Sequence, residues 1–223
     1  MKLELKMLMF IVLSLLSGKT ISQELEIVNP KNTWYFGAEI GINSVYDFNV
    51  GESAQFFQGG VLAEYYFGKQ WSLSGKVKYY KAGVSFYEPS TTGWLGTDER
   101  HGTFRGTLIT IPFNLKWEFR LYKNLKGHLK LGYGYTIETK SEYINYSENM
   151  PTEDYLNEYG SANAGFGFNY FINKKMAIYA ELDLLTGTEK GYTSTLLGNR
   201  NHYLRNNLIS FGVKYNFKNE TGE

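Results

Sequence analysis

The stretch SANAGFGFNY at residues 161–170 decides the fold, because apolar and polar residues alternate along it with a period of two. Alternate residues of an extended strand point to opposite faces. One face of this segment is small and polar, and the other carries the apolar residues Ala162, Ala164, Phe166, Phe168 and Tyr170. The pattern predicts a two-faced β-strand.

The same alternation recurs along the chain and predicts eight strands, near residues 34–45, 58–67, 71–86, 105–119, 127–140, 158–171, 176–187 and 206–217. In the third strand, the apolar positions change from odd to even numbers, which predicts a β-bulge near Lys81. Pro112 lies within the fourth strand and cannot donate a ladder hydrogen bond, so we expect a local bulge there too.

The composition favours strands joined by tight turns, with 19 Tyr, 15 Phe, 24 Gly and 4 Pro. The absence of cysteine excludes disulfides and thiolate metal sites. A formal net charge of +1 provides no strong field that would attract nucleic acid, so we expect no nucleic-acid partner.

The N-terminus has the layout of a signal peptide, in which Lys2 and Lys6 precede the apolar run 7–16. This run is shorter than the roughly 20 residues of a membrane-spanning helix, although a retained anchor is the alternative. We predict a signal peptide over 1–22, one barrel over 23–217 and a short periplasmic tail over 218–223.

The links between strands alternate in length. The segments 68–70, 120–126 and 172–175 are short, whereas the polar segments 46–57, 87–104, 141–157 and 188–205 are long. Short periplasmic turns and long external loops are typical of outer-membrane barrels. This pattern of links therefore predicts an all-β, eight-stranded antiparallel transmembrane barrel with both ends in the periplasm.

Aromatic residues at the strand ends favour a membrane barrel over a soluble lipid-binding barrel, whose apolar face would point inward. The predicted girdle on the short-turn side comprises Trp34, Trp71, Trp117, Phe119, Tyr170, Phe171, Tyr215 and Phe217. A looser second girdle comprises Tyr46, Phe86, Tyr143 and Tyr159.

A membrane barrel places the charged strand face inside, where charges must be paired. The predicted interior network comprises Glu39, Glu64, Lys76, Lys78, Lys130, Glu181, Asp183 and Lys214, with Lys116, Glu118 and Glu138 on the same faces. The alternative is that these are solvated surface charges of a soluble barrel. Glu181 and Asp183 are adjacent on one strand face, a pattern that also fits an acid/base pair, but we favour ion pairing with Lys76, Lys78 or Lys130.

The C-terminal stretch SFGVKYNF, residues 210–217, resembles the assembly signal of outer-membrane barrels, with Ser210, Gly212, Tyr215 and Phe217 as its characteristic positions. The stretch ITIPFNLKW, residues 109–117, resembles the Ile-Pro strand of the PorT-like outer-membrane β-barrel proteins of Bacteroidetes. The resemblance implies an outer-membrane location and recognition by the barrel-assembly machinery.

The three histidines do not form a convincing reactive site, so we predict no catalytic residue, cofactor or metal. His101 lies beside Asp98 and Glu99, which is a weak metal pattern. His202 would approach Ser194 or Thr195 only if a long loop folded back.

These observations leave several functions open. We favour a non-catalytic envelope anchor whose long external loops contact envelope proteins or surface ligands. The alternatives are a small-solute porin, a lipid-modifying outer-membrane enzyme and a soluble lipid-binding barrel.

Overall fold

The strands of the barrel form a closed antiparallel sheet. The computed structural model describes residues 28–45, 54–88, 100–144, 158–188, 192–194, 200–202 and 205–217. The predicted signal peptide and C-terminal tail lie outside these residues. The strands are β1 Thr33–Val45, β2 Ala54–Tyr66, β3 Trp71–Glu88, β4 Arg100–Tyr122, β5 Leu125–Ile144, β6 Glu158–Phe171, β7 Met176–Gly187, β8 Tyr192–Ser194, β9 Arg200–His202 and β10 Arg205–Tyr215.

Closure occurs between the first and last strands, which pair from Phe36↔Tyr215 to Val45↔Asn206. The sheet order is β1-β10-β7-β6-β5-β4-β3-β2, while β8 and β9 form a separate two-stranded ribbon. The predicted eight-stranded antiparallel barrel is therefore confirmed. No helix among the described residues is long and apolar enough to cross a membrane.

The alternating pattern separates an apolar outer face from a polar interior. Large apolar side chains such as Ile40, Leu131 and Phe166 are exposed around the outside. Lys78, Glu64 and other charged side chains are buried inside. This arrangement is the reverse of a soluble lipid-binding barrel, and it requires an apolar medium around the strands.

Strands β3, β4 and β5 are longer than the sequence predicts, with 18, 23 and 20 residues. Only about 9–11 residues are needed to cross a bilayer. Because of these extensions, parts of the predicted loops 87–104 and 141–157 are strand. Part of 46–57 is also strand, because β2 begins at Ala54, and 188–205 contains the ribbon. Alternation does not reveal these extensions, because a strand that continues beyond the membrane does not need an apolar face.

The predicted bulge near Lys81 is wrong. Pairing between β3 and β4 keeps one register from Lys78↔Thr110 to Glu88↔Arg100. Ala82 packs against the buried cluster that contains Tyr80 and Leu108, so this even-numbered position still faces the lumen. The irregularity lies in the neighbouring β4–β5 ladder, where Thr139 is the extra residue and its hydroxyl donates to the Thr107 carbonyl at 3.0 Å.

The predicted bulge at Pro112 is also wrong. Pro112 pairs with Gly134 of β5 in an unbroken register. On the β3 side, the ladder is interrupted between Gly75↔Phe113 and Lys78↔Thr110 without a change of register. The missing donor is therefore accommodated as a gap in one ladder, with no inserted residue.

Candidate functional site

The centre of the lumen holds an ion-pair network of three lysines and three carboxylates. Lys76 Nζ lies 2.7 Å from Glu39 Oε2 and also pairs with Glu181. Lys78 pairs with Glu39 and lies 2.9 Å from Asp183 Oδ2. Because every member is buried, each charge depends on its neighbours for stabilisation.

Lys130 completes the central network. Its Nζ lies 2.9 Å from Glu181 Oε1 and also pairs with Asp183. His128 Nε2 is 3.5 Å from Glu181 Oε2, and the Tyr179 hydroxyl donates to Glu39 at 2.9 Å. Glu181 and Asp183 are thus held by lysines, which favours ion pairing over an acid/base role.

A second network fills the lumen towards the short turns. Glu64 Oε1 lies 2.9 Å from Lys116 Nζ, and Glu64 Oε2 lies 2.7 Å from Lys214 Nζ. Glu118 accepts hydrogen bonds from the Tyr66 hydroxyl at 2.6 Å and from Asn169 at 2.5 Å. It also pairs with Lys126 at 3.3 Å. This second network lies between the central ion-pair network and a cluster of aromatic residues at the short-turn end of the lumen.

An apolar cluster closes the short-turn end of the lumen, and its members are Val28, Tyr35, Tyr66, Phe171 and Ala177. The Val28 amide donates to the Asn124 side chain at 3.2 Å, so the segment before β1 crosses this mouth. Phe171 is wholly buried, and its predicted place in the outer girdle is therefore wrong. Odd-numbered residues of β6 face the lumen, and Phe171 belongs to this set.

A second apolar cluster closes the lumen towards the long loops, and its members are Tyr80, Leu108, Leu185 and Leu208. Tyr159 is also buried at this end, so its predicted place in the second girdle is wrong. The side chains of Tyr46, Phe86 and Tyr143 lie outside the described part of the structure. Two apolar clusters thus enclose the charged layers.

All eight residues of the predicted interior network lie buried in the lumen. Lys116 and Glu118 are buried beside them, whereas Glu138 is half-buried at the long-loop end. Lys126 and His128 are also buried in the lumen, although the predicted network does not include them. Both occupy even positions of β5, as Lys130 does, so parity could have identified them.

The predicted assembly residues lie on the closing strand β10 and just beyond its end. Ser210 accepts a hydrogen bond from Gln58 Nε2 at 2.5 Å and one from Lys78 Nζ at 3.1 Å. A Cβ atom at Gly212 would meet the Tyr179 ring at 2.4 Å, so glycine is needed for this close approach. Tyr215 and Phe217 are exposed, with ring centroids 5.1 Å apart.

The loop carrying His202 does fold back, because β8 and β9 pair as a ribbon. Its register places Tyr192 opposite His202 and Ser194 opposite Arg200. Ser194 and His202 are therefore two ladder positions apart. Among the described residues, no group of three His, Cys, Asp or Glu side chains is arranged to hold a metal ion.

A closed antiparallel barrel with an apolar outer surface, an aromatic rim and paired charges inside is a β-barrel membrane protein. The chain matches the outer membrane protein beta-barrel domain over residues 9–217. It belongs to this family and is located in the outer membrane.

Several solved structures are similar to this chain. Ail, the attachment invasion locus protein of Yersinia pestis, is 12% identical with a TM-score of 0.47, over 84% of this chain and 99% of that one. OprG from Pseudomonas aeruginosa is 11% identical with a TM-score of 0.49, over 86% and 100%. Neisserial surface protein A is 15% identical with a TM-score of 0.49, over 82% and 97%. A search of curated proteins finds no match.

Proposed function

We propose that this protein is a non-catalytic envelope anchor whose long external loops contact a partner protein or surface ligand. The observation that carries the proposal is the filled lumen, in which two apolar clusters enclose two ion-pair networks. Eight strands enclose an interior just wide enough for side chains to fill. Function is then left to the surfaces outside the barrel.

The filled lumen argues against a porin, because a solute would have to displace buried, paired charges. It also argues against a lipid-modifying enzyme that uses the interior carboxylates, since Glu181 and Asp183 are enclosed and held by lysines. The extensions of β3, β4 and β5 support a role for the long-loop end, because they raise its connecting segments beyond the membrane.

The finer family assignment is also a proposal. The strand that resembles PorT-like proteins of Bacteroidetes, residues 109–117, lies within β4 and includes Pro112. We further propose that the short turns face the periplasm and that the barrel-assembly machinery recognises β10. The proposed partners are outer-membrane lipid, this machinery and one envelope protein or surface ligand.

Protease accessibility on intact cells tests the orientation. A cleavage site inserted within residues 89–99 should be cut from outside, whereas the same site within 172–175 should be protected until the outer membrane is permeabilised. Cleavage at 172–175 alone on intact cells would show the opposite orientation.

The mass of lipid A tests the non-catalytic assignment. Lipid A from deletion cells should retain its parental mass, and a mass change that is restored by returning the gene would overturn this assignment.

A further inference from the structure

The exposed charges at the short-turn end of the barrel have a single sign among the described residues. We define the basic rim as the exposed or half-exposed cations of the turns, of the end of β4 and of the segment entering β1, namely Lys31, Lys69, Arg120, Lys123, Lys174 and Lys175. No described carboxylate lies on this rim. Glu118, on the same strand end as Arg120, points into the lumen.

The long-loop end differs, because its described charges have both signs. Glu138 and Glu158 lie there with Lys81, Lys140 and other cations. The single sign of the basic rim is therefore a property of one end of the molecule.

The basic rim lies next to the aromatic belt. Gly68 donates its amide to the Trp71 carbonyl at 3.2 Å, so Lys69 lies in the tight turn that leads into the exposed Trp71. Lys123 Nζ lies 5.4 Å from the centroid of the exposed Tyr122 ring. Aromatic rings of this kind mark the level of lipid headgroups. The adjacent cations therefore lie at headgroup depth.

The cations surround the barrel instead of forming one patch. Lys69 lies between β2 and β3, Lys123 between β4 and β5, and Lys174 between β6 and β7. A single protein partner would contact one side of such a ring, whereas annular lipids contact all sides. We propose that the basic rim binds the phosphate groups of anionic phospholipids in the leaflet at the short-turn end.

Tryptophan quenching by brominated lipids tests this proposal, because Trp34, Trp71 and Trp117 all lie on β-strands near the basic rim. The fourth tryptophan, Trp94, is first replaced by Phe. The protein is inserted into phosphatidylcholine vesicles containing either brominated phosphatidylglycerol or brominated phosphatidylcholine. We expect phosphatidylglycerol to be favoured about fivefold at low salt, which corresponds to about 1 kcal/mol for one lysine beside anionic lipid.

A matched pair of variants assigns the selectivity to the basic rim. Replacing Lys69, Lys123, Lys174 and Lys175 with Gln should abolish it. Replacing four cations at the other end with Gln should preserve it, and these are Lys81, Arg105, Lys140 and Arg205. High salt should weaken the selectivity of the parent.

Equal quenching by both lipids in the parent, or equal loss in both variants, would overturn the proposal. Peptidoglycan is the competing partner. If the rim variant lost binding to purified sacculi while its lipid selectivity stayed unchanged, the rim would serve the cell-wall polymer instead. These measurements do not involve the external loops, so they are independent of the proposed anchor function.

Discussion

At the scale of single residues, the interior depends on charges that share partners. Asp183 pairs with both Lys78 and Lys130, and Glu181 pairs with Lys76 and Lys130. Removing either carboxylate leaves buried lysines with one partner fewer. The loss of one partner lowers the free energy of unfolding by more than an intact buried pair contributes to it. The reason is that the desolvation cost of the remaining charge is no longer compensated.

Asp183→Ala or Glu181→Ala should therefore lower the free energy of unfolding by about 3–5 kcal/mol. The measurement is reversible denaturant unfolding of the protein in lipid vesicles. Glu158→Ala is the control, because Glu158 is exposed at the long-loop end, where its carboxylate accepts a hydrogen bond from the Tyr135 hydroxyl. Equal stability of Asp183→Ala and the parent would contradict the buried network.

At the scale of elements, the closing strand joins assembly to packing. The exposed Phe217 ring lies 6.0 Å from Phe36 of β1 and 5.1 Å from Tyr215, measured between ring centroids. A charge at this interfacial depth costs the folded barrel only about 0–1 kcal/mol. A large loss of protein from the membrane must then arise during assembly.

Phe217→Asp, or Tyr215→Ala combined with Phe217→Ala, should sharply reduce the amount of protein in the outer membrane. Removal of residues 218–223 should be tolerated. Quantitative blotting of outer-membrane fractions measures both. Parental amounts of the aromatic variants, or a loss caused only by removing the tail, would refute the assembly signal.

The strands also show how much of the structure can be predicted from the sequence. Strand β6 was predicted with its observed bounds, because alternation persists from Glu158 to Phe171. The error lay in residue chemistry: Tyr159 and Phe171 were assigned to girdles as aromatic rings, although their odd numbers share the inward parity of Asn163. The parts of β4 and β5 nearest the long loops gave no alternating signal, because a strand beyond the membrane does not need an apolar face.

The interior charge positions followed from parity, and the predicted pairing of Glu181 and Asp183 with lysines of the lumen is present in the structure. The pairs of the second network were not predicted. Lys214 reaches Glu64 from β10, and these residues are 150 positions apart in sequence. Such contacts depend on closure and on the slant of the strands across the lumen. The apolar clusters at both ends were missed for the same reason, since each combines residues from several strands.

At the scale of the whole molecule, closure removes every edge from the barrel sheet. A closed ladder resists detergent, because unfolding cannot begin at an unpaired strand. The unboiled protein should therefore migrate differently from the boiled protein in detergent gels. Identical migration, together with a helical circular dichroism spectrum, would contradict the barrel.

Closure and filling of the lumen together confine function to the outside of the barrel, and single-channel recording in planar bilayers tests this most directly. Insertion is verified beforehand by the shift between unboiled and boiled samples. We predict no steady conductance steps from the full-length mature protein, because the ion-pair networks and both apolar clusters block the lumen. A stable, reproducible open channel would contradict the filled lumen and the proposed anchor function.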